Sequence, residues 1–148
     1  MTDCAPIKSE LNAKLLDATE AANGWRGRCV NLFARAEAVI GAALASREPG
    51  KKAPMLVSQK AKRLAGHLTS KVVEQSLNDF VSFLGDRTAL THGTGKLWVD
   101  ERGPWLLTLD WVGGGGPGRR VFASWEAESF HNDLRAVVQR LERQLRTA

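Results

Sequence analysis

Residues 85–95 read GDRTALTHGTG, and the chain changes character across them. Before this stretch the apolar residues return every three or four positions. After it they alternate or run in short blocks. Val73, Leu77, Phe80, Val81 and Leu84 keep the three-four rhythm of an amphipathic helix that runs into Arg87 and His92. Gly93 is a natural C-terminal stop for that helix. The stretch therefore marks the border between a helical part and a strand part.

Upstream, the periodicity predicts three more helices. Ile7, Leu11 and Leu15 lie four apart, with Leu16 beside the last, in a first helix that Ser9 caps and Asn23–Gly24 stops. A second runs over about residues 25–47 and ends at REPGKKAP, since proline and glycine punctuate helices. Leu56, Lys60, Leu64 and Leu68 place a third.

Downstream, GKLWVDERGPWLLTLDWVGGGGPGRRVFASW is broken by RGP and GGGGPG. It reads as three antiparallel strands, roughly 96–101, 105–112 and 119–124. Trp105, Leu107, Leu109 and Trp111 share one face, which packs on the helices, and Thr108 and Asp110 point away. Trp98, Trp105, Trp111 and Trp125 are expected in the core of this meander, and an exposed pair would point to base stacking instead. A last amphipathic helix follows, with Phe130, Leu134, Val137, Val138, Leu141 and Leu145 inside and Arg135, Arg140, Arg143 and Arg146 mostly outside. The fold class is mainly α: an antiparallel helical bundle with a small three-stranded antiparallel β-meander, about 96–124, inserted before its last helix. At 148 residues the chain is expected to form one domain over 1–148.

Apolar residues make up 43% and charged residues 25%, ordinary values for a globular protein. The net charge of +5 and a pI near 9.6 favour an acidic partner such as nucleic acid. Cys4 and Cys29 have no metal-ligand spacing and suit a reduced, cytoplasmic setting. The N-terminus carries no apolar signal-peptide core, and no run approaches the roughly 18 apolar residues of a membrane span. His67, His92 and His131 form no His-Glu-x-x-His pattern, so no metal is expected. The glycines at 113–118 join two strands and lack the lysine and hydroxyl of a phosphate loop. Arg119 and Arg120 beside them are candidate phosphate contacts. No Gly-x-Ser-x-Gly elbow is present.

Five helical positions turn by about 140° net, so Arg87 and His92 do not share a stripe on a regular helix. Bending before Gly93 would let them converge. Arg87 continues the stripe of Val73, Phe80 and Leu84, where a lone buried charge is expensive. Glu37 falls with Val30, Phe33 and Leu44 on the inner face of the second helix and is its expected partner, with Arg26 as competitor. In the plainest reading, Arg87 pairs with Glu37, His92 caps the helix through its terminal carbonyls, and nothing reacts.

RTALTHG at a helix end resembles the Arg-x4–6-His signature of HEPN domains, the higher-eukaryote and prokaryote nucleotide-binding domains. The resemblance covers about residues 7–95 and 125–146, with the strands as an insertion. It implies a helical bundle that acts as a homodimer and a metal-independent endoribonuclease, without cofactor, of the toxin–antitoxin and antiviral defence kind. RNA is then the substrate and an antitoxin protein a partner. Carried onto this chain, Arg87 orients the scissile phosphate and His92 is general base or acid. Glu37 and Thr88 support them, and Arg119 and Arg120 bind RNA. Two positions depart from the pattern. Thr88 stands where a polar residue, most often asparagine, follows the arginine. Thr94 stands where one branch carries a modified tyrosine. The alternative is a non-catalytic module of the same kind that binds a protein or nucleotide. A DNA-binding regulator is weaker still, for lack of a helix-turn-helix junction.

Overall fold

The computed structural model describes the backbone of residues 5–113 and 115–147, and side chains from Glu10 to Arg146 within them. Expectations placed on Cys4, on Gly114 and on the side chains of Ile7 and Ser9 lie outside the described residues. The order is α1 (Ala5–Arg47), α2 (Val57–Ala65), α3 (Lys71–Val81), α4 (Leu84–His92), β1 (Thr94–Val99), β2 (Trp105–Gly113), β3 (Gly116–Ala123) and α5 (Ser124–Thr147). The protein is thus mainly helical, with a small antiparallel sheet in the order β1-β2-β3 before the last helix.

One helix stands where two were expected. Asn23–Gly24 does not stop α1, and Ser9 falls inside it rather than at its cap. Gly24 and Gly27 lie on the exposed side, while Ala22, Trp25, Cys29, Phe33, Ala36, Ile40 and Leu44 form one buried stripe. A helical glycine costs about 1 kcal/mol relative to alanine. Burying one large apolar side chain returns about 1.5–3 kcal/mol, so the stripe wins. By length and composition α1 is apolar enough to cross a membrane, with a mean hydropathy of 1.3 over its best window. Arg35 and Glu37 interrupt that apolar half, which is why no continuous run stands out in the sequence. Its stripe is covered within the bundle, chiefly by α5 and α2.

The fourth helix is two. Phe83 N–H bonds to Phe80 at 3.0 Å, a tight turn that separates α3 from α4. The break sends Phe83 against Phe130, with ring centroids 5.6 Å apart. Phe130 belongs to an aromatic knot where α1, the sheet and α5 meet. Trp25 lies 4.9 Å from Phe122 and 5.9 Å from Phe130. Its indole N–H donates to the Ala127 carbonyl at 2.6 Å.

The sheet follows the period-two pattern. Trp105, Leu107 and Leu109 are buried against the helices, and Leu106 and Asp110 are exposed. Pairing runs Trp98 with Leu106, Lys96 with Thr108 and Thr94 with Asp110 across β1 and β2. Asp110 pairs with Arg119 and Leu109 with Arg120 across β2 and β3. The tryptophans divide. Trp105 is buried and Trp111 half-buried, but Trp98 and Trp125 face solvent. For those two the core expectation fails. Trp98 has the outward parity of β1, and Trp125 sits at the exposed start of α5.

Candidate functional site

α4 carries the motif, and its position is set from three sides. Ala89 and Leu90 bury its inner face. Arg26 on α1 donates to the carbonyls of Leu90 and Gly93, both at 2.7 Å. Arg120 on β3 donates to Asp86 at 2.8 Å and lies 4.3 Å over the Phe122 ring. The C-terminal carbonyls of α4 are thus met by Arg26. They are not met by His92, contrary to the plain structural reading, because α4 stays helical through His92 and turns its ring outward.

Arg87 meets Glu37 as the helical wheel foresees, with Nη2 3.1 Å from Oε2. Both side chains are 28% exposed, so the pair is half-buried. Lys60 approaches the other Glu37 oxygen at 3.9 Å. Arg26 does not compete for Glu37. Thr88 donates its hydroxyl to the Leu84 carbonyl at 3.2 Å, back onto its own helix. Arg87 and Thr88 line a cavity of about 220 Å³ with Glu37, Ser58, Leu56 and Leu84.

His92 lies elsewhere. It is exposed, and its ring makes no hydrogen bond or ion pair with any described residue. It opens onto a cavity of about 570 Å³ shared with Thr94, Asp110, Trp111, Gly118 and Arg119. Arg119 grips Asp110 there, with Nε at 2.6 Å from one oxygen and Nη2 at 3.3 Å from the other. The hydrogen bond from Arg119 is the main cause holding the Asp110 carboxyl below its ordinary range. The cavity wall depends on Gly118. A Cβ at that position would stand 2.4 Å from the Trp111 ring.

The two motif residues therefore line different cavities of one protomer. The bend that would let them converge does not occur, since the Gly93 N–H still bonds to Ala89 at 2.8 Å in helical register. In their place the fold sets His92 and Arg119 on one cavity. That neighbour was legible from the hairpin. Counting back from the Gly113–Gly116 turn sets Asp110 opposite Arg119, two opposite charges at the mouth of the strand that leaves His92. The roles of Arg26 and Trp111 had no comparable signal. Of the other histidines, His67 bonds to Glu48 at 3.0 Å, and His131 is half-buried beside Glu128. Among the described residues no three acids, histidines or cysteines cluster as a metal site would. No family model, no curated protein and no solved structure matches this chain.

Proposed function

We propose that this protein is a HEPN-like, metal-independent endoribonuclease that acts as a homodimer in the cytoplasm, as a toxin or defence effector held in check by an antitoxin protein. The observation that carries the reading is His92: an exposed, unbonded imidazole at a rigid helix end, on an open cleft that also holds a guanidinium. An imidazole near neutral pH takes and gives protons readily. A guanidinium with unused donors binds a phosphodiester and stabilises the charge that develops on it. Arg119 spends its Nε and one Nη donor on Asp110, which leaves others free.

The reaction needs no external nucleophile. His92 takes the proton of a ribose 2′-hydroxyl, the 2′-oxygen attacks phosphorus, and the bond to the 5′-oxygen breaks. The leaving oxygen takes a proton from an acid. The products are a 2′,3′-cyclic phosphate and a 5′-hydroxyl. One protomer offers His92 as base. A second copy brings its own Arg87 toward the shared phosphate, since within one protomer Arg87 and His92 line different cavities, and solvent water serves as the acid. Glu37 keeps Arg87 extended.

The test is cleavage of RNA in EDTA by the wild type and by Arg87→Ala, His92→Ala and Arg119→Ala. Cleavage lost in the His92 and Arg87 variants supports the reading. No cleavage by well-folded wild type refutes it. One observation favours a second reading, a non-catalytic binding module: Arg87 is already engaged by Glu37 and separated from His92 within the protomer. That reading takes over if the wild type is inert.

A further inference from the structure

The solvent face of the sheet holds a cluster that the proposed reaction does not use. Trp98 is 57% exposed and Trp125 68%. Together with Trp105, Leu106, Pro104 and Asp100 they line an open apolar cavity of about 380 Å³. Large exposed aromatics gathered in one hollow mark a binding surface, since scattered single apolar residues are the ordinary case. The ring of Trp98 already attracts a cation, with Lys96 Nζ 5.5 Å from its centroid.

This hollow and the His92 cleft are two ends of one strand face. On β1 Thr94, Lys96 and Trp98 are exposed on the outward parity, while Leu97 is half-buried and a Cβ at Gly95, itself exposed, would face Arg26, Leu107 and Leu109. Thr94 lines the His92 cleft and Trp98 lines the hollow. At about 3.3 Å per residue, the two are roughly 13 Å apart. Lys96 stands between them, opposite Thr108, and the exposed Arg119 closes the far end opposite Asp110.

We propose that this face is a track for single-stranded RNA, in which a base stacks in the Trp98–Trp125 hollow while Lys96 and Arg119 meet the phosphates leading to His92. The proposal rests on the ribonuclease reading for the direction of the strand, and on the exposed tryptophans for the stacking. The chemistry fits a nucleobase in three ways. Every base has a π-face for indole to stack on. The outward cations and the net charge of +5 complement a polyanion. Asp100, whose Oδ1 accepts from the Arg102 N–H at 3.1 Å, keeps a second oxygen for a base N–H.

The test measures binding apart from cleavage, with a short fluorescein-labelled 2′-O-methyl RNA that has no attacking hydroxyl, by anisotropy in EDTA. Trp98→Ala and Trp125→Ala should each weaken binding about tenfold, the scale of one lost stacked base. Trp98→Phe and Trp125→Phe should restore most of it. Lys96→Ala should flatten the salt dependence. Both side chains are exposed, so truncation leaves the core intact, and circular dichroism checks this. Wild-type affinity in both alanine variants, or no binding by the wild type, overturns the proposal. So does a dimer that dissociates on Trp98→Ala while RNA affinity is unchanged, since a second copy then covers the face. Tryptophan-dependent binding without cleavage by any protein upholds the track and removes the nuclease. Cleavage with tryptophan-independent binding does the reverse.

Discussion

Arg26, near the middle of α1, donates to the carbonyl of Gly93, where α4 ends and β1 begins. The same guanidinium reaches Leu90. One side chain thus fixes the point at which the helical bundle hands the chain to the sheet. It satisfies carbonyls that a helix end otherwise leaves to water.

Arg26→Ala removes both bonds. Hydrogen bonds from a charged donor contribute about 1.5–3 kcal/mol each. These two share one donor group and are partly exposed, so the variant should lose about 2–3 kcal/mol in urea unfolding. Arg26→Lys should recover only part, because an ammonium lacks the fork that spans two carbonyls. A loss under about 0.5 kcal/mol, the scale of an ordinary surface substitution, would show that water caps α4 equally well.

Two glycines should answer alanine in opposite directions. A Cβ at Gly93 would stand 2.4 Å from the Ala89 carbonyl oxygen and 2.8 Å from the Leu109 Cβ. Its φ of −69° is open to any residue, so space and not conformation demands glycine. Gly93→Ala should destabilise by about 1–3 kcal/mol, as overpacking does. Gly27 is a helical position with nothing within 4 Å of a Cβ. Gly27→Ala should stabilise by about 0.5–1 kcal/mol. Denaturation midpoints of the two variants moving the same way would contradict this account.

Periodicity located the helical regions and all three strands, because a 3.6-residue and a two-residue rhythm differ over even short windows. The inward set on β2 followed directly. The Glu37–Arg87 contact was legible too, since two polar residues fell on apolar stripes and each needed the other. Gly24 misled for the opposite reason. A helix-breaking preference of about 1 kcal/mol is local, and the packing of Trp25 against Phe122 and Phe130 that overrides it spans the whole chain. The turn at Ser82–Phe83 was hidden because Phe83 keeps the apolar rhythm while re-aiming the helix. Trp98 and Trp125 looked like core from residue type alone. Only the register and the start of α5 put them in solvent.

Cys29 is fully buried on α1, and burial pushes its thiol up to about 12. Only the thiolate reacts. In a Cys4→Ser background, Cys29 should therefore resist a disulfide reagent in native buffer and react only as fast as the protein opens. Adding urea through the unfolding transition should release one thiol equivalent. Fast labelling in native buffer would mean that the α1–α5 core opens far more readily than its packing implies.

Glu48, just beyond α1, makes stability depend on acid. Its carboxyl accepts from His67 and is gripped by Arg63, and both hold it below its usual 4.5, with the His67 hydrogen bond the larger cause. Partial desolvation opposes them. A carboxyl lowered in the folded state stabilises fully above its unfolded value. That contribution is lost as pH falls through the folded value, because the unfolded chain then binds the proton more readily. The melting temperature should accordingly fall below about pH 4.5, and Glu48→Gln should remove that part of the decline while leaving the curve above it parallel. Asp110, held down by Arg119, adds an acid loss of the same sign. The difference between wild type and Glu48→Gln isolates the contribution of the α1–α2 junction. Superimposable pH profiles would mean that Glu48, Arg63 and His67 are drawn together at no gain, and that α2 is held to α1 without them, by Val57, Ala61 and Leu64 and by the approach of Lys60 to Glu37.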